Sequence, residues 1–169
     1  MITDQLKDYA RDTRLNLEAL TVPEGAPGLK PEQLAGAALA CAYALGSTEL
    51  ATELAQRYQI GEATQEAAKG AAVIMAMNNV YYRSLHLMED AEVSRLPARL
   101  RMNIIGKPGI ERLDFEVMCL AVSALAGCGM CLKSHAAELR KGGIEPVGVQ
   151  SAIRIASVIQ SAAAALRIA

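Results

Sequence analysis

Cys128, Cys131, Glu116 and His135 place two closely spaced thiols, a carboxylate and an imidazole within residues 116–135 of this chain. Cys128-Gly129-Met130-Cys131 sets its thiols three positions apart. On a helix that separates them by about 60° and one turn, close enough for a disulfide after a small adjustment. If the pair opens a helix, free N–H groups and the positive end of the helix dipole both favour thiolate, and Gly129 leaves the turn accessible. His135 follows Cys131 by four residues and Cys128 by seven, within about 40° and 20° of them on the same face. An imidazole there can exchange a proton with a thiol, directly or through water, because its reference pKa is near neutral. Glu116 is the only charged residue between Phe115 and Gly127, among Val117, Met118, Leu120, Val122 and Leu125. A carboxylate in such company is costly to bury without a partner. If the chain turns back at Gly127, Glu116 and His135 lie on adjacent helices and can meet as a proton relay beside a dithiol.

Each part has a plainer reading. Glu116 alone could be a solvated first-turn residue, His135 a surface histidine, and the CxxC redox-active, zinc-binding or accidental. A closed zinc site takes four ligands, usually as two pairs. There is no second CxxC, so Cys128, Cys131, His135 and Glu116 are the one set that could form it. Cys41 and Cys119 lie in apolar helical patterns and read as core. His86, in Leu85-His-Leu-Met, has no motif around it and reads as structural or exposed. No strand precedes the CxxC, which argues against a thioredoxin fold. The joint pattern E-x11-C-x2-C-x3-H arises by chance far less readily than any of its parts.

The elements that must position these groups are helices. The chain has 169 residues, enough for one well-buried domain over 1–169 and short for two. Hydrophobic residues make up 52% and aromatics only 4%, with no Trp and one Phe. A core without large rings needs close backbone approach and many small side chains, and long Ala-rich runs supply both. The expected fold is all-α, a compact bundle of about eight helices. Net charge is −1, from 17 basic and 18 acidic residues, which points to neither nucleic acid nor an anionic membrane. The N-terminus is charged from Asp4 and has no apolar targeting core. No uncharged run reaches the roughly 18 residues that span a bilayer. A cytoplasmic location is expected, where structural disulfides are rare and a CxxC is more often catalytic or metal-binding.

In order, residues 3–20 read as an amphipathic helix capped by Thr3, with Leu6, Tyr9, Thr13, Leu17 and Leu20 on one stripe. Residues 22–31 are loop by their Pro and Gly content. A helix runs from about Glu32, behind Pro31, to Gly46. Ser47 is placed to cap a short helix to Tyr58. Gly61 precedes a long buried helix from Glu62 to Tyr82, which carries Asn78 and Asn79, and Ser84–Glu92 reads as another short helix. Residues 103–113 read as loop. Asp114 is placed to cap a helix to Ala126 that breaks at Gly127. The next helix starts at the CxxC and stops at Gly142-Gly143, and the last runs from Pro146 to about Arg167. The halves align at an offset of 81: Leu34 with Phe115, Leu39 with Leu120, Gly46 with Gly127. Ser47 and Leu50 then fall where Cys128 and Cys131 sit, as in a degenerate repeat whose first copy lacks the thiols.

The pattern E-x11-C-x2-C-x3-H on Ala-rich helices resembles the alkyl hydroperoxidase D family, of the carboxymuconolactone decarboxylase-like group. Met75-Ala-Met-Asn-Asn-Val-Tyr-Tyr-Arg83, Leu100-Arg-Met-Asn-Ile-Ile105 with Pro108-Gly109, and Leu15-Asn-Leu17 are also similar to it, so the resemblance spans nearly the whole chain. It implies an all-helical homotrimer and a lipoyl-dependent peroxidase that reduces alkyl hydroperoxides or regenerates a partner peroxiredoxin. Electrons would arrive from dihydrolipoamide on a dihydrolipoyl succinyltransferase-type protein, with no bound cofactor or metal. By the resemblance, Cys131 is the peroxide-attacking cysteine that passes through sulfenic acid. Cys128 is the proton donor that resolves it as the Cys128–Cys131 disulfide, and Glu116 and His135 are the proton relay. Family members often carry a His immediately before the second Cys. Met130 stands there in this chain, which implies a shorter relay and less acidic thiols. A metal-free decarboxylase or isomerase of the same fold, which lacks the redox pair, and a zinc-binding interaction module are the alternatives.

Overall fold

Ala carries no side-chain entropy into a helix and lets backbones approach closely. The computed structural model describes residues 2–168, and among them all regular structure is helical, with no strand. The helices are α1 (Ile2–Gln5), α2 (Arg11–Ala19), α3 (Pro31–Ala44), α4 (Thr48–Arg57), α5 (Glu62–Met88), α6 (Ala91–Arg95), α7 (Asn103–Gly106), α8 (Arg112–Ala126), α9 (Gly129–Lys141) and α10 (Pro146–Arg167). The all-α expectation holds. The number exceeds about eight because α1, α6 and α7 are single turns of four or five residues.

The centre is the packing of α3 on α8. α3 is buried at every position from Gln33 to Ala42, and α8 at every position from Phe115 to Ser123. α3 supplies mainly Ala, α8 the larger Phe115, Met118 and Leu120, so small faces large and the space fills. α5 and α10 pack on this pair, α4 lies against α3, and α9 against α8. α10 is long and apolar enough by length and composition to cross a membrane. Its Ile155, Ile159, Ala162 and Ala163 are instead buried in the core it shares with α3 and α8.

The second half repeats the first. Gln33 Nε2 donates to Asp114 Oδ1 at 2.8 Å across an offset of 81 positions, and the same offset relates the starts of α3 and α8 and of α4 and α9. Both turns close alike: Ser47 N donates to Ala42 O at 3.0 Å, and Cys128 N to Ser123 O at 3.3 Å. Gly46 (φ 67°) and Gly127 (φ 63°) supply the left-handed residue that this helix-ending motif needs. α9 has 13 residues against 10 in α4, which displaces α10 relative to α5 by the same three.

Four local expectations are corrected. The N-terminal helix is not continuous over 3–20. An extended Lys7 and a 3-10 turn, Asp8–Ala10, part α1 from α2. Ile2 packs into the main core while Leu6 and Ala10 pack on Ala165 and Leu166, and the chain bends to seat both. Thr3 is buried within α1 and Tyr9 is exposed. Second, α5 does not end at Tyr82: with no Gly or Pro after Gly70 it runs 27 residues to Met88. Glu89 ends it in the left-handed region, and Asp90 Oδ1 caps α6 by accepting from Glu92 N and Val93 N. Third, residues 103–113 include α7, and α8 begins at Arg112, so Asp114 lies in its first turn and binds Gln33 instead of capping. Fourth, Ser47 occupies the cap position of α4 without a capping bond from its side chain.

A Cβ at Gly46 or Gly127 would meet nothing within 4 Å, so the cost of Ala at either is purely conformational, about 1 kcal/mol. Gly46→Ala and Gly127→Ala should each lower the stability measured by urea denaturation by that amount. A loss below a few tenths at either position contradicts the shared turn.

Candidate active site

Gly127 reverses the chain between α8 and α9, so α9 returns along α8 with Cys128 at its N-cap. Cys128 Sγ accepts the backbone N–H of Cys131 at 3.3 Å, taking one of the amides that a helix start leaves unpaired. Cys131 is one turn in, and both thiols are free and buried. One turn further, His135 points back at α8. Its Nδ1 lies 2.7 Å from Glu116 Oε2, with Glu116 2% and His135 7% exposed. Glu116 is therefore not a solvated first-turn residue, and His135 is not a surface histidine. With the carboxyl ionised, Nδ1–H donates to it, which fixes the ring and aims Nε2 at the interior.

A third helix completes the group. Met75 Sδ of α5 lies 3.3 Å from His135 Nε2. The backbone carbonyl of Asn78 lies 3.9 Å from Cys131 Sγ. Asn79 Oδ1 accepts from Ser123 Oγ–H at 3.1 Å, tying α5 to α8 about two turns along from Glu116. Arg112, mostly exposed, stands 3.9 Å from Glu116 Oε1 and makes its closer pair with Glu138, at 2.9 Å. The Glu116 contact is long and one-sidedly wet, so it contributes little. Sequence reasoning passed over Met75, Asn78 and Arg112 as site members. The available signal was two adjacent Asn in a helix otherwise apolar enough to be buried.

These side chains surround a cavity of about 460 Å³. Cys131, Glu116, His135 and Asn78 line it, with Tyr82, Met102, Ile105 and Met130 as its less polar wall. Cys128 is fully buried and is not part of that lining. Met130 is 42% exposed and also borders a neighbouring cleft with His86, Glu89 and Asp90. His86 is exposed, as one of its two readings had it. Cys41 and Cys119 are core residues, and burial pushes both thiols well up. Among the described residues, no three His, Cys, Asp or Glu side chains are grouped to hold a metal ion. Both nitrogens of His135 already face Glu116 and Met75.

The helix start does not make Cys131 acidic. Burial, foremost, then its hydrogen bond to the Cys128 sulfur and that sulfur's charge push its thiol up to about 12, against a smaller lowering by a backbone hydrogen bond. Removing this thiol from water outweighs the dipole. A reaction at Cys131 near neutral pH is helped by a base within the cavity; the lining holds His135, Glu116 and, paired with Arg112, Glu138.

Known proteins are similar to this chain. A family model described as the carboxymuconolactone decarboxylase family matches residues 91–169. The alkyl hydroperoxide reductase AhpD of Coxiella burnetii (strain RSA 493 / Nine Mile phase I) is 48% identical over 162 residues, covering 95% of this chain and 92% of the relative. The protein of the same name from Hyphomonas neptunium is 47% identical over 163 residues, covering 95% and 89%. That from Streptomyces griseus subsp. griseus is 47% identical over 167 residues, covering 95% and 93%.

Since only the thiolate alkylates, iodoacetamide should modify Cys131 of the reduced protein slowly at pH 7. The rate should climb about tenfold per pH unit through pH 8 to 10, followed by peptide mass mapping. A plateau below pH 9 would contradict the raised thiol.

Proposed function

The chain belongs to the alkyl hydroperoxide reductase AhpD family, and from that premise we propose that it is a lipoyl-dependent peroxidase working through a Cys128–Cys131 dithiol/disulfide cycle. The observation that carries the assignment of roles is the one-sided cavity: Cys131 lines it together with Glu116 and His135, while Cys128 lies behind.

In the proposed cycle, His135 and Glu116 take the proton of the Cys131 thiol. The thiolate attacks the terminal oxygen of the hydroperoxide. The O–O bond breaks, the alkoxide recovers the proton and leaves as alcohol, and Cys131 becomes sulfenic acid. Cys128 then attacks the Cys131 sulfur, closing the disulfide with loss of water. Dihydrolipoamide reopens it by thiol–disulfide exchange. We propose dihydrolipoamide on a dihydrolipoyl succinyltransferase-type protein as the reductant, a peroxiredoxin as the second partner, and the cytoplasm as the compartment, with no bound cofactor or metal. The less polar wall of Tyr82, Met102, Ile105 and Met130 suits an alkyl tail.

A homotrimer is part of the proposal. Val73, Val80 and Leu87 are spaced by seven along α5 and are each more than two-thirds exposed. That stripe is the form of a helix face that packs on another copy.

Cys131→Ser should abolish hydroperoxide consumption with dihydrolipoamide as reductant; retained turnover in that variant sinks the assignment. Glu116→Gln should lower kcat/KM about 10²-fold or more and flatten the neutral limb of its pH profile, with circular dichroism unchanged. Val80→Lys should convert the assembly to monomers in sedimentation equilibrium, and an unaltered mass would remove α5 from the subunit contact.

A further inference from the structure

Asn78 is 4% exposed, and its Oδ1 is the only buried side-chain oxygen or nitrogen without a hydrogen-bond partner among the described residues. Its neighbour Asn79 is as deeply buried but is satisfied by Ser123. Such an orphan weakens a fold and calls for an explanation. Two observations place it beside the chemistry. The residue lines the thiol cavity with Cys131, Glu116 and His135, and its backbone carbonyl lies 3.9 Å from Cys131 Sγ. Because Oδ1 is closed to solvent, a donor reaches it only when carried on a neighbouring wall group.

We propose that the Asn78 side-chain oxygen receives the hydroxyl that peroxide reduction places on Cys131, holding the sulfenic acid until Cys128 resolves it. The inference rests on the function proposed above. In that step the S–O bond forms and the O–O bond of R–O–O–H breaks. Sulfur is oxidised, the peroxide is reduced, and the thiol proton departs with the alkoxide as alcohol. What remains, Cys131–S–O–H, is a new O–H donor created inside the wall. Glu116 Oε2 and Met75 Sδ, a weak acceptor, already face His135 Nδ1 and Nε2, whereas Asn78 Oδ1 faces no donor. Held toward α5, the hydroxyl points away from the start of α9, which leaves the sulfur open to Cys128 on the opposite side. Displacement of the oxygen as water then runs along that line.

The test uses Cys128→Ser protein, which forms sulfenic acid but cannot resolve it. After one equivalent of cumene hydroperoxide, the sulfenic acid is followed by dimedone capture and intact mass. Adding Asn78→Leu should make it disappear at least about fivefold faster, the size of one lost hydrogen bond. In the otherwise native chain, Asn78→Leu should melt at the same temperature or higher, since it fills the volume and removes the orphan oxygen. A purely structural Asn would do the reverse. Asn78→Ala, which removes the oxygen without adding bulk, carries the same comparison should the Leu variant not fold. Sulfenic acid lost at the parental rate in both variants overturns the inference alone. Faster loss accompanied by a lower melting temperature in both assigns Asn78 to the scaffold and also overturns it. No sulfenic acid in Cys128→Ser itself overturns the functional reading and this inference together.

Discussion

A carboxylate and an imidazole 2.7 Å apart, both buried, join α8 to α9 beside the thiol pair. Glu116 stands on α8 and His135 on α9, so their contact sets how far α9 slides along α8. That in turn places the Cys128 and Cys131 turn over α5. Deleting one side chain would leave the other desolvated and without its partner, whereas an amide in place of the carboxyl keeps a hydrogen bond to the ring. The same contact fixes the ring so that Nε2 faces Met75, which ties the third helix into the arrangement. One hydrogen bond thus couples the register of three helices to the geometry of a dithiol.

Much of this was legible in the sequence because it is local. Cys128, Cys131 and His135 are related by helix geometry alone, and Gly127 announces the turn that brings Glu116 to them. The contributions of α5 were not legible. Met75 and Asn78 are separated from the thiols by more than forty residues, and no periodicity says which side of α5 meets α9. The acidity of Cys131 was half legible: Met130 implied less acidic thiols, while the helix start argued for thiolate. The helix start is visible in the sequence, whereas the burial that outweighs it is a product of tertiary packing. The N-terminal segment shows the same limit. Its stripe of Leu6, Leu17 and Leu20 is buried as the pattern requires, yet two separate docking surfaces break the helix between them.

The repeat explains how a small all-α core tolerates a polar site. At the offset of 81, Glu116 corresponds to Ala35, Cys131 to Leu50 and His135 to Leu54, and all three counterparts are buried apolar residues. At these positions the first half is apolar where the second holds the two thiols' neighbour pair, Glu116 and His135. At these three positions the cost of buried polar groups falls on the second half alone. Gln33 and Asp114, paired across the repeat at 2.8 Å, join the two halves at the corresponding turn of each.

The complete burial of Cys128 gives the thiol pair a direction. Anything that enters from the cavity meets Cys131 first, so an exchange reaction has a front sulfur and a rear sulfur. In the proposed cycle, a thiol attacking the disulfide would join the front atom and expel the rear one. The amide of Cys131, 3.3 Å from Cys128 Sγ, already points at the atom on which the departing electrons collect. In the proposed cycle the turn that begins α9 would work as a valve, admitting reagents at one sulfur and receiving charge at the other.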